Sequence, residues 1–174
     1  MQTGLYTMTM EIGLRDGSSV PVRPLQADDG ERLRRLFFRL SPLSVYRRFM
    51  SPLPAPSDAG ISRLLDVDHR DREALAALDG DEIMAVARYA RRPGTQVAEI
   101  AIVVADDWQH RGLGQRLLEQ LAELARRRGI ERLEASVLGD NTPALHLVRG
   151  LFPASRASWQ TGVVEFEIPL SQAG

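Results

Sequence analysis

The 174-residue sequence contains no cysteine and no lysine, and all 22 of its basic residues are arginines. Without cysteine the chain can form no disulfide framework, no thiolate zinc site and no cysteine nucleophile. Without lysine it cannot form a P-loop, whose phosphate contacts require a Gly-Lys-Ser/Thr step. The 3 histidines, at positions 69, 110 and 146, do not have the spacing of metal ligands, so we expect no metal site.

Long apolar runs and a strong charge of either sign are also missing. The longest purely apolar run covers residues 100–105, which is too short for a membrane-spanning helix. The net charge is −1, so no overall basic field would attract nucleic acid. The first ten residues lack the basic segment and apolar core of a secretory signal. We therefore expect a cytoplasmic protein that binds neither nucleic acid nor a membrane.

Length and composition predict a single domain over residues 1–174. With 44% hydrophobic and 26% charged residues, a chain of this size has enough apolar surface for its own core. Residues 1–18 are interpreted as an N-terminal extension and the start of a hairpin. The turn of this hairpin is predicted around Asp16 and Gly17, because Asp-Gly is a strong turn signal between two extended runs.

The hydrophobic pattern predicts helices first, then antiparallel strands, then alternating strands and helices. The predicted elements are, in chain order, hairpin strands at 10–14 and 20–23, helices beginning at Asp28 or Asp29 and after Ser41-Pro42, a proline-rich loop at 51–57, a helix at 61–65, strands at 72–78, 83–91 and 97–104, a long helix from near Gly112, a strand at 130–138, a helix at 142–149 and a strand at 163–170. This order predicts an α+β, or mixed α/β, domain with a β-α-β-α-β C-terminal half.

A Gly-x-Gly turn joins the apolar strand at 97–104 to the long helix. Gly112 and Gly114 have no Cβ, and a helix N-terminus presents free N–H groups with a favourable dipole. A pyrophosphate could therefore approach the backbone here. An ordinary glycine-rich loop is the alternative. A dinucleotide-binding fingerprint is excluded, because Leu117 occupies the position that needs a third small residue.

Residues 109–114 read Gln-His-Arg-Gly-Leu-Gly, which matches the coenzyme A signature Gln/Arg-x-x-Gly-x-Gly/Ala. With the strand before it and a later helix led by Asn141, this arrangement resembles the GNAT family of N-acetyltransferases over about residues 20–170. Ala-Glu-Ile-Ala at 98–101 is most similar to bacterial Pat-type protein-lysine acetyltransferases. The resemblance implies the GNAT fold, with a central, largely antiparallel twisted sheet and helices on both faces, and acetyl-CoA as the cosubstrate.

The resemblance also implies where the cosubstrate binds. The residues at the family's coenzyme positions are Ala101, Ile102, Val103, Val104, Gln109, His110, Arg111, Gly112, Leu113, Gly114, Gln115 and Asn141.

Glu99 is the candidate catalytic base. Strand alternation places it on one face with Ala101 and Val103, where a carboxylate either pairs with an arginine near the sheet edge or takes part in chemistry. A lysine amine, with a pKa of about 10.4, must lose a proton before it can attack a thioester. The Pat-type resemblance implies that Glu99 accepts that proton.

The general acid is unassigned. In many family members a tyrosine protonates the leaving thiolate, but this chain has Val148 at that position. His146 or Tyr89 could substitute, although a structural role is the alternative for both. A thiol with a pKa of roughly 8.5 can also leave without a strong acid.

The sequence therefore predicts an acetyl-CoA-dependent N-acetyltransferase that moves an acetyl group directly to a primary amine, such as a protein lysine. Two alternatives stay open, because the same fold serves many functions. One is acetylation of a small-molecule amine or antibiotic, and the other is a non-catalytic acyl-CoA sensor, which the absent tyrosine suggests. A homodimer through an exposed sheet edge is also expected.

Overall fold

A computed structural model describes residues 9–170 of the chain. The strands in this part are β1 (Met10–Gly13), β2 (Ser19–Pro24), β3 (Arg72–Asp79), β4 (Glu82–Arg91), β5 (Val97–Val104), β6 (Arg132–Leu138), β7 (Arg156–Gln160) and β8 (Val163–Pro169). The helices are α1 (Gly30–Phe38), α2 (Pro42–Phe49), α3 (Asp58–Leu65), α4 (Leu113–Arg127) and α5 (Thr142–Leu151), with a 3₁₀ turn at Asp106–Trp108. None of the helices in residues 9–170 has the length and apolar character that crossing a membrane requires.

All eight strands form one sheet in the order β1-β2-β3-β4-β5-β6-β8-β7. Every neighbouring pair is antiparallel except β5 and β6, which are parallel. The parallel pair is joined by α4, as parallel strands require a long crossover connection. The predicted mixed α/β class with a largely antiparallel sheet is confirmed.

The structure contains one strand that the sequence analysis did not predict. Strand β7 lies at the edge of the sheet and pairs only with β8, and all five of its residues are exposed. It therefore lacks the alternation of apolar and polar residues on which strand prediction depends. A smaller difference concerns α3, which begins at Asp58 rather than near residue 61, because the Ser57 hydroxyl accepts a hydrogen bond from the Gly60 N–H (3.0 Å).

Helices cover both faces of the sheet, as the GNAT resemblance implied. Helix α4 buries Leu113, Leu117 and Leu121 against one face, and α5 adds Leu145 to the same core. Helices α1 and α3 pack on the opposite face around a second core that includes Leu36. The central strands are consequently buried from both sides.

Strands β5 and β6 separate part-way along their length. Their pairing covers only Val97–Glu99 of β5 and Arg132 to Glu134 of β6. Beyond Glu99, β5 continues to Val104 paired with β4 alone, while β6 continues to Leu138 paired with β8. A wedge-shaped gap therefore opens in the middle of the sheet, next to the start of α4.

A buried ionic network anchors the other end of α4. Glu73 on β3 is fully buried, and its carboxylate accepts hydrogen bonds from Nη1 of Arg128 (2.8 Å) and pairs with Nδ1 of His69 (2.9 Å). The same Arg128 nitrogen donates to the hydroxyl of Tyr89 (3.0 Å). Since Arg128 follows the last residue of α4, this network fixes the helix against the sheet.

Candidate active site

The edge of β5 that faces the gap carries backbone groups without strand partners. Residues directly opposite each other in an antiparallel pair alternate between bonded and non-bonded positions. Since the Ala105 N–H donates to the Met84 carbonyl (2.8 Å), the intervening residues Ile102 and Val104 direct their N–H and C=O groups away from β4. Within residues 9–170, only the Val104 carbonyl finds a partner there, the side-chain amide of Gln109 (3.0 Å). The remaining groups are available to a ligand that lies along the strand.

The N-terminus of α4 is the second element of the site. Its N-cap is Gly112, with a φ of 84°, and no side chain caps it. By contrast, Ser41, Ser57 and Asn141 cap α2, α3 and α5 with their side chains. In the described part of the chain, no acceptor meets the N–H groups of residues 110–115. Together with the helix dipole, they form a site suited to an anion.

The two glycines of this turn differ in their physical role. A Cβ on Gly112 would lie 3.1 Å from Cγ and 3.3 Å from Nε of Arg15, and its positive φ disfavours any other residue. A Cβ on Gly114 would lie 3.6 Å from side-chain atoms of Ile102 and Val104, which is ordinary packing distance. Gly112 therefore sets the backbone conformation, and Gly114 allows α4 to lie close to β5.

A cavity of about 650 Å³ connects the open strand edge with the start of α4. This volume lies in the range of small-molecule sites. The predicted coenzyme residues that line it are Ile102, Val103, Val104, Gln109, His110, Gly112, Leu113, Gly114, Gln115 and Asn141. Ala101 lines a smaller neighbouring cavity of about 90 Å³. The structure thus brings these residues together around one cleft.

The smaller cavity lies inside the gap between β5 and β6. Its walls are mostly apolar and include Ile100, Ala135 and Val148, with Arg47 and Arg48 of α2 at one side. Val148 occupies the position at which many family members have a tyrosine, and its side chain is buried.

Arg111 is the one predicted coenzyme residue that lines neither cavity. Its guanidinium stacks over the Trp108 ring (4.1 Å to the centroid) and donates to Oδ2 of Asp16 (3.0 Å). Hydrogen bonds from Ser18 and Arg111 lower the pKa of Asp16 to about 2, so this carboxylate is charged throughout the neutral range. Arg111 therefore ties the β1–β2 hairpin to the glycine turn rather than presenting its charge to the cavity.

Gln109 also has a defined structural role. Its Nε2 donates to the Val104 carbonyl (3.0 Å) and to the Ser44 hydroxyl (3.3 Å). This single side chain thus connects the end of β5, the glycine turn and helix α2.

Glu99 is the last residue of β5 that pairs with β6, its side chain is exposed, and it lines neither cavity, although its neighbours Ile100 and Ala101 line the smaller one. Within residues 9–170 its carboxylate forms no ion pair and no hydrogen bond, so the alternative of a structural pairing with arginine is not observed. The negative charge of Glu99 acts on the pKa of Arg48. Burial and, to a smaller extent, the charge of Arg88 lower the pKa of Arg48 to about 10, and the charge of Glu99 opposes this shift.

The two substitutes considered for the general acid have different surroundings. Tyr89 is buried, and its hydroxyl donates to the Arg70 carbonyl (2.8 Å) and accepts from Arg128, which gives it a structural role. Burial raises the pKa of Tyr89. His146 is exposed on α5 and lines the larger cavity.

Sequence reasoning missed the arginines that border the site from other elements. Arg15 reaches the cavity from the β1–β2 turn, and Arg47 and Arg48 reach it from α2. All three lie far from the glycine turn in sequence, and only the fold brings them to it. The available signal was the similarity of the Arg15-Asp16-Gly17 turn and the segment around residues 40–49 to Pat-type proteins.

Comparison with known proteins gives the family of the chain. Residues 42–151 match the family model described as the acetyltransferase (GNAT) family, which is more than half of the chain. The chain belongs to the GNAT acetyltransferase family. The GNAT resemblance noted from the signature at 109–114 is confirmed, and the protein is an acyltransferase.

Individual relatives place this GNAT domain in the Pat type. An acetyltransferase of Pseudomonas aeruginosa is 36% identical over 124 residues, which cover 69% of this chain and 67% of that protein. The acetyltransferase Pat of Mycolicibacterium smegmatis is 33% identical over 139 residues. That match covers 78% of this chain but only 41% of Pat, so it spans less than half the length of that relative. Among solved structures, the GNAT domain of S. lividans PAT has a TM-score of 0.87 at 35% identity and covers 93% of this chain and 97% of that one.

Proposed function

We propose that this protein is an acetyl-CoA-dependent N-acetyltransferase that transfers the acetyl group directly to a primary amine. The observation that carries the proposal is the meeting of the open β5 edge with the uncapped N-terminus of α4 at one cavity of about 650 Å³. The free N–H groups of the helix suit the pyrophosphate of the cosubstrate. The open strand edge suits its amide-containing arm, which can pair with backbone groups as an added strand would.

Glu99 is the proposed proton acceptor. An ammonium group that enters beside β5 must lose a proton before its nitrogen attacks the thioester carbonyl. Glu99 is exposed and lacks an ion pair within residues 9–170, so its carboxylate is available for that proton, directly or through a water molecule. Attack forms the C–N bond and a tetrahedral oxyanion, and its collapse breaks the C–S bond and releases coenzyme A.

The backbone of β5 supplies the proposed stabilisation of the oxyanion. The N–H groups of Ile102 and Val104 face the gap, and a fixed N–H group aimed at developing negative charge is an effective stabiliser. Of the residues considered as general acid, His146 is the one that borders the cavity. The leaving thiolate, with a pKa of roughly 8.5 for its thiol, also departs without one.

The acceptor is proposed to be a lysine side chain of a protein, on the strength of the Pat-type similarity. A small-molecule amine is the second candidate acceptor, because Glu99 is exposed and accessible to an amine of any size. The third candidate is an acyl-CoA sensor without catalysis. It is suggested by the buried Val148, which stands where many family members have a tyrosine that protonates the leaving thiolate.

The test of the catalytic assignment is the variant Glu99→Gln. We expect its turnover number to fall by about 10² or more, the usual contribution of a general base, with unchanged affinity for acetyl-CoA. Thiol release measures turnover, and calorimetric titration measures binding. Glu31→Gln is the matched control, because it removes the same charge from an exposed site on α1. Equal turnover in both variants would contradict the role of Glu99.

The same titration separates the enzyme from the sensor. Binding of acetyl-CoA without thiol release on any amine or lysine peptide would support the sensor and overturn the proposed transfer. The cytoplasmic location and the homodimer stay predictions. The exposed edge strand β7 is the proposed dimer contact, and light scattering of the purified protein tests it.

A further inference from the structure

Three arginines lie around β5, the strand that carries Glu99. Arg47 and Arg48 lie on α2, and Arg88 lies on β4 directly opposite Ala101 of β5. Within residues 9–170 none of the three forms an ion pair. Elsewhere in the fold, the arginines that meet buried carboxylates are paired at short distance, as with Arg23 and Asp29 (2.7 Å).

The described contacts of these arginines include no direct pairing with a carboxylate, and the charge of Asp66 acts on Arg88 only at longer range. Arg48 lies over the Phe49 ring (4.9 Å to the centroid), and Nη1 of Arg88 donates to the Leu64 carbonyl (3.2 Å). Nε of Arg47 is buried without a hydrogen-bond partner. Burial lowers the pKa of both Arg48 and Arg88, which shows that each charge is partly removed from water. Placing two such cations close together is unfavourable unless an anion binds between them.

Arg48 borders both cavities, and the smaller of them lies beside Ile100 and Ala101, which follow Glu99 along β5. The phosphate site begins after Val104, at the C-terminal end of β5. Glu99, whose charge Arg48 senses, lies five residues earlier, which is about 16 Å along an extended strand. Arg48 therefore reaches the end of the cleft nearest Glu99, where the acceptor amine must arrive, and Arg88 lies opposite Ala101 on the adjacent strand, outside the lining of both cavities.

We propose that Arg48 and Arg88 bind a carboxylate that the acceptor carries beside its reacting amine. The inference rests on the proposed N-acetyltransferase activity and specifies its substrate class. Glu99 attracts the ammonium group, and the two guanidinium groups attract the neighbouring anion. Arg48 and Glu99 do not form an ion pair with each other, so neither charge is neutralised by the other, and an acceptor that carries both charges can engage both side chains.

Two sources of this chemistry are distinguishable by experiment. One is a lysine flanked by acidic residues in a protein, and the other is a free α-amino acid. The first pair of probes is a blocked peptide with lysine between two glutamates and its counterpart with two glutamines. The second pair is leucine and 3-methylbutylamine, the amine that lacks the carboxylate. Initial rates of thiol release at saturating acetyl-CoA give kcat and KM for each probe.

In at least one pair, we expect the member that carries the carboxylate to have a kcat/KM at least about tenfold higher than the member that lacks it. The difference should lie mainly in a lower KM, because charge-assisted hydrogen bonds strengthen binding by this amount. The ratio of the two kcat/KM values should fall to about one in Arg48→Gln, be partly restored in Arg48→Lys, and decrease in Arg88→Gln. Arg63→Gln, an exposed position on α3, is the control for the change in net charge and should keep the ratio. Thermal unfolding of each variant verifies that it is folded.

The pair that shows the preference identifies the source of the carboxylate. Turnover of amines with no gain from a carboxylate in either pair overturns this proposal and leaves the acetyltransferase intact. A preference that survives in both Arg48→Gln and Arg88→Gln also overturns it. Absence of thiol release from every amine, with normal acetyl-CoA binding, contradicts the proposed function itself.

Discussion

Replacing Gly112 by alanine is the most direct perturbation of the proposed phosphate site. Gly112 is the N-cap of α4 and has a φ of 84°, a left-handed conformation that costs an L-residue about 1–2 kcal/mol. Its new Cβ would lie 3.1 Å from Cγ of Arg15, so the arginine must shift. The substitution thus disturbs both the free N–H groups and a cation that borders the cavity.

The expected loss of binding follows from these two effects. A charge-assisted hydrogen bond from Arg15 to a phosphate contributes about 1.5–3 kcal/mol. Partial loss of that bond, together with distortion of the turn that holds the free N–H groups, should weaken the free energy of coenzyme A binding by about 3 kcal/mol. Since 1.4 kcal/mol corresponds to a factor of ten, the Kd for coenzyme A should rise by about 100-fold. The midpoint of thermal unfolding should fall by about 2–8 °C from the strain alone.

Calorimetric titration with coenzyme A, followed by thermal unfolding, measures both quantities. Gly129→Ala is the matched control, because Gly129 has a φ of 74° and its Cβ would meet nothing within 4 Å. It lies beyond the other end of α4, so we expect a similar loss of thermal stability and an unchanged Kd. If both variants bound coenzyme A as tightly as the parent protein, the N-terminus of α4 would not be the phosphate site.

Two further predictions concern stability. Arg128→Met should lower the free energy of unfolding by about 3–5 kcal/mol, because it removes the arginine that pairs with the buried Glu73 carboxylate and leaves His69 as its remaining ionisable partner, and adding Glu73→Gln should recover part of the loss in urea unfolding. A smaller loss in the single variant than in the double variant would contradict this. Burial alone would raise the pKa of Asp29, but hydrogen bonds from Arg23 and the Gln26 N–H lower it below its usual value. This stabilisation is present above pH about 4 and disappears as the pH falls through the lowered pKa, so the stability gap between the parent and Asp29→Asn should narrow in acid. A gap that stays constant from pH 7 to pH 3 would refute it.

The sequence was sufficient to predict the central elements because each has a strong local signal. Apolar runs separated by turn residues predicted β3, β4 and β5, and leucines at helical spacing from Leu113 onwards predicted α4. The coenzyme signature identified the glycine turn, in which the local backbone requires Gly112 and the packing of α4 on β5 accounts for Gly114. Strand β7 was missed because its stability comes from pairing with β8, which no local pattern of exposed residues reveals.

The charges of the site were harder to predict than its backbone. Arg111 lies within the signature, yet the fold directs it to Asp16 and Trp108. Arg15 and Arg48 are remote in sequence and border the cavity only because the hairpin and α2 pack beside β5. Sequence spacing can locate N–H groups at a helix start, but it cannot tell which of 22 arginines will be drawn into an ion pair and which will be left facing a cleft.

The separation of β5 and β6 also makes the sheet incomplete in the absence of a ligand. In the proposed binding mode, a cosubstrate arm on the Ile102–Val104 edge takes the place of the missing strand, so its binding would add to the cohesion of the sheet as well as deliver an acetyl group. At a concentration 100 times its Kd, such a ligand stabilises the native state by about 2.7 kcal/mol. The amide hydrogens of Ile102 and Val104 should then exchange more slowly with solvent. The lifetime of this protein against proteolysis would thereby rise and fall with the supply of acetyl-CoA.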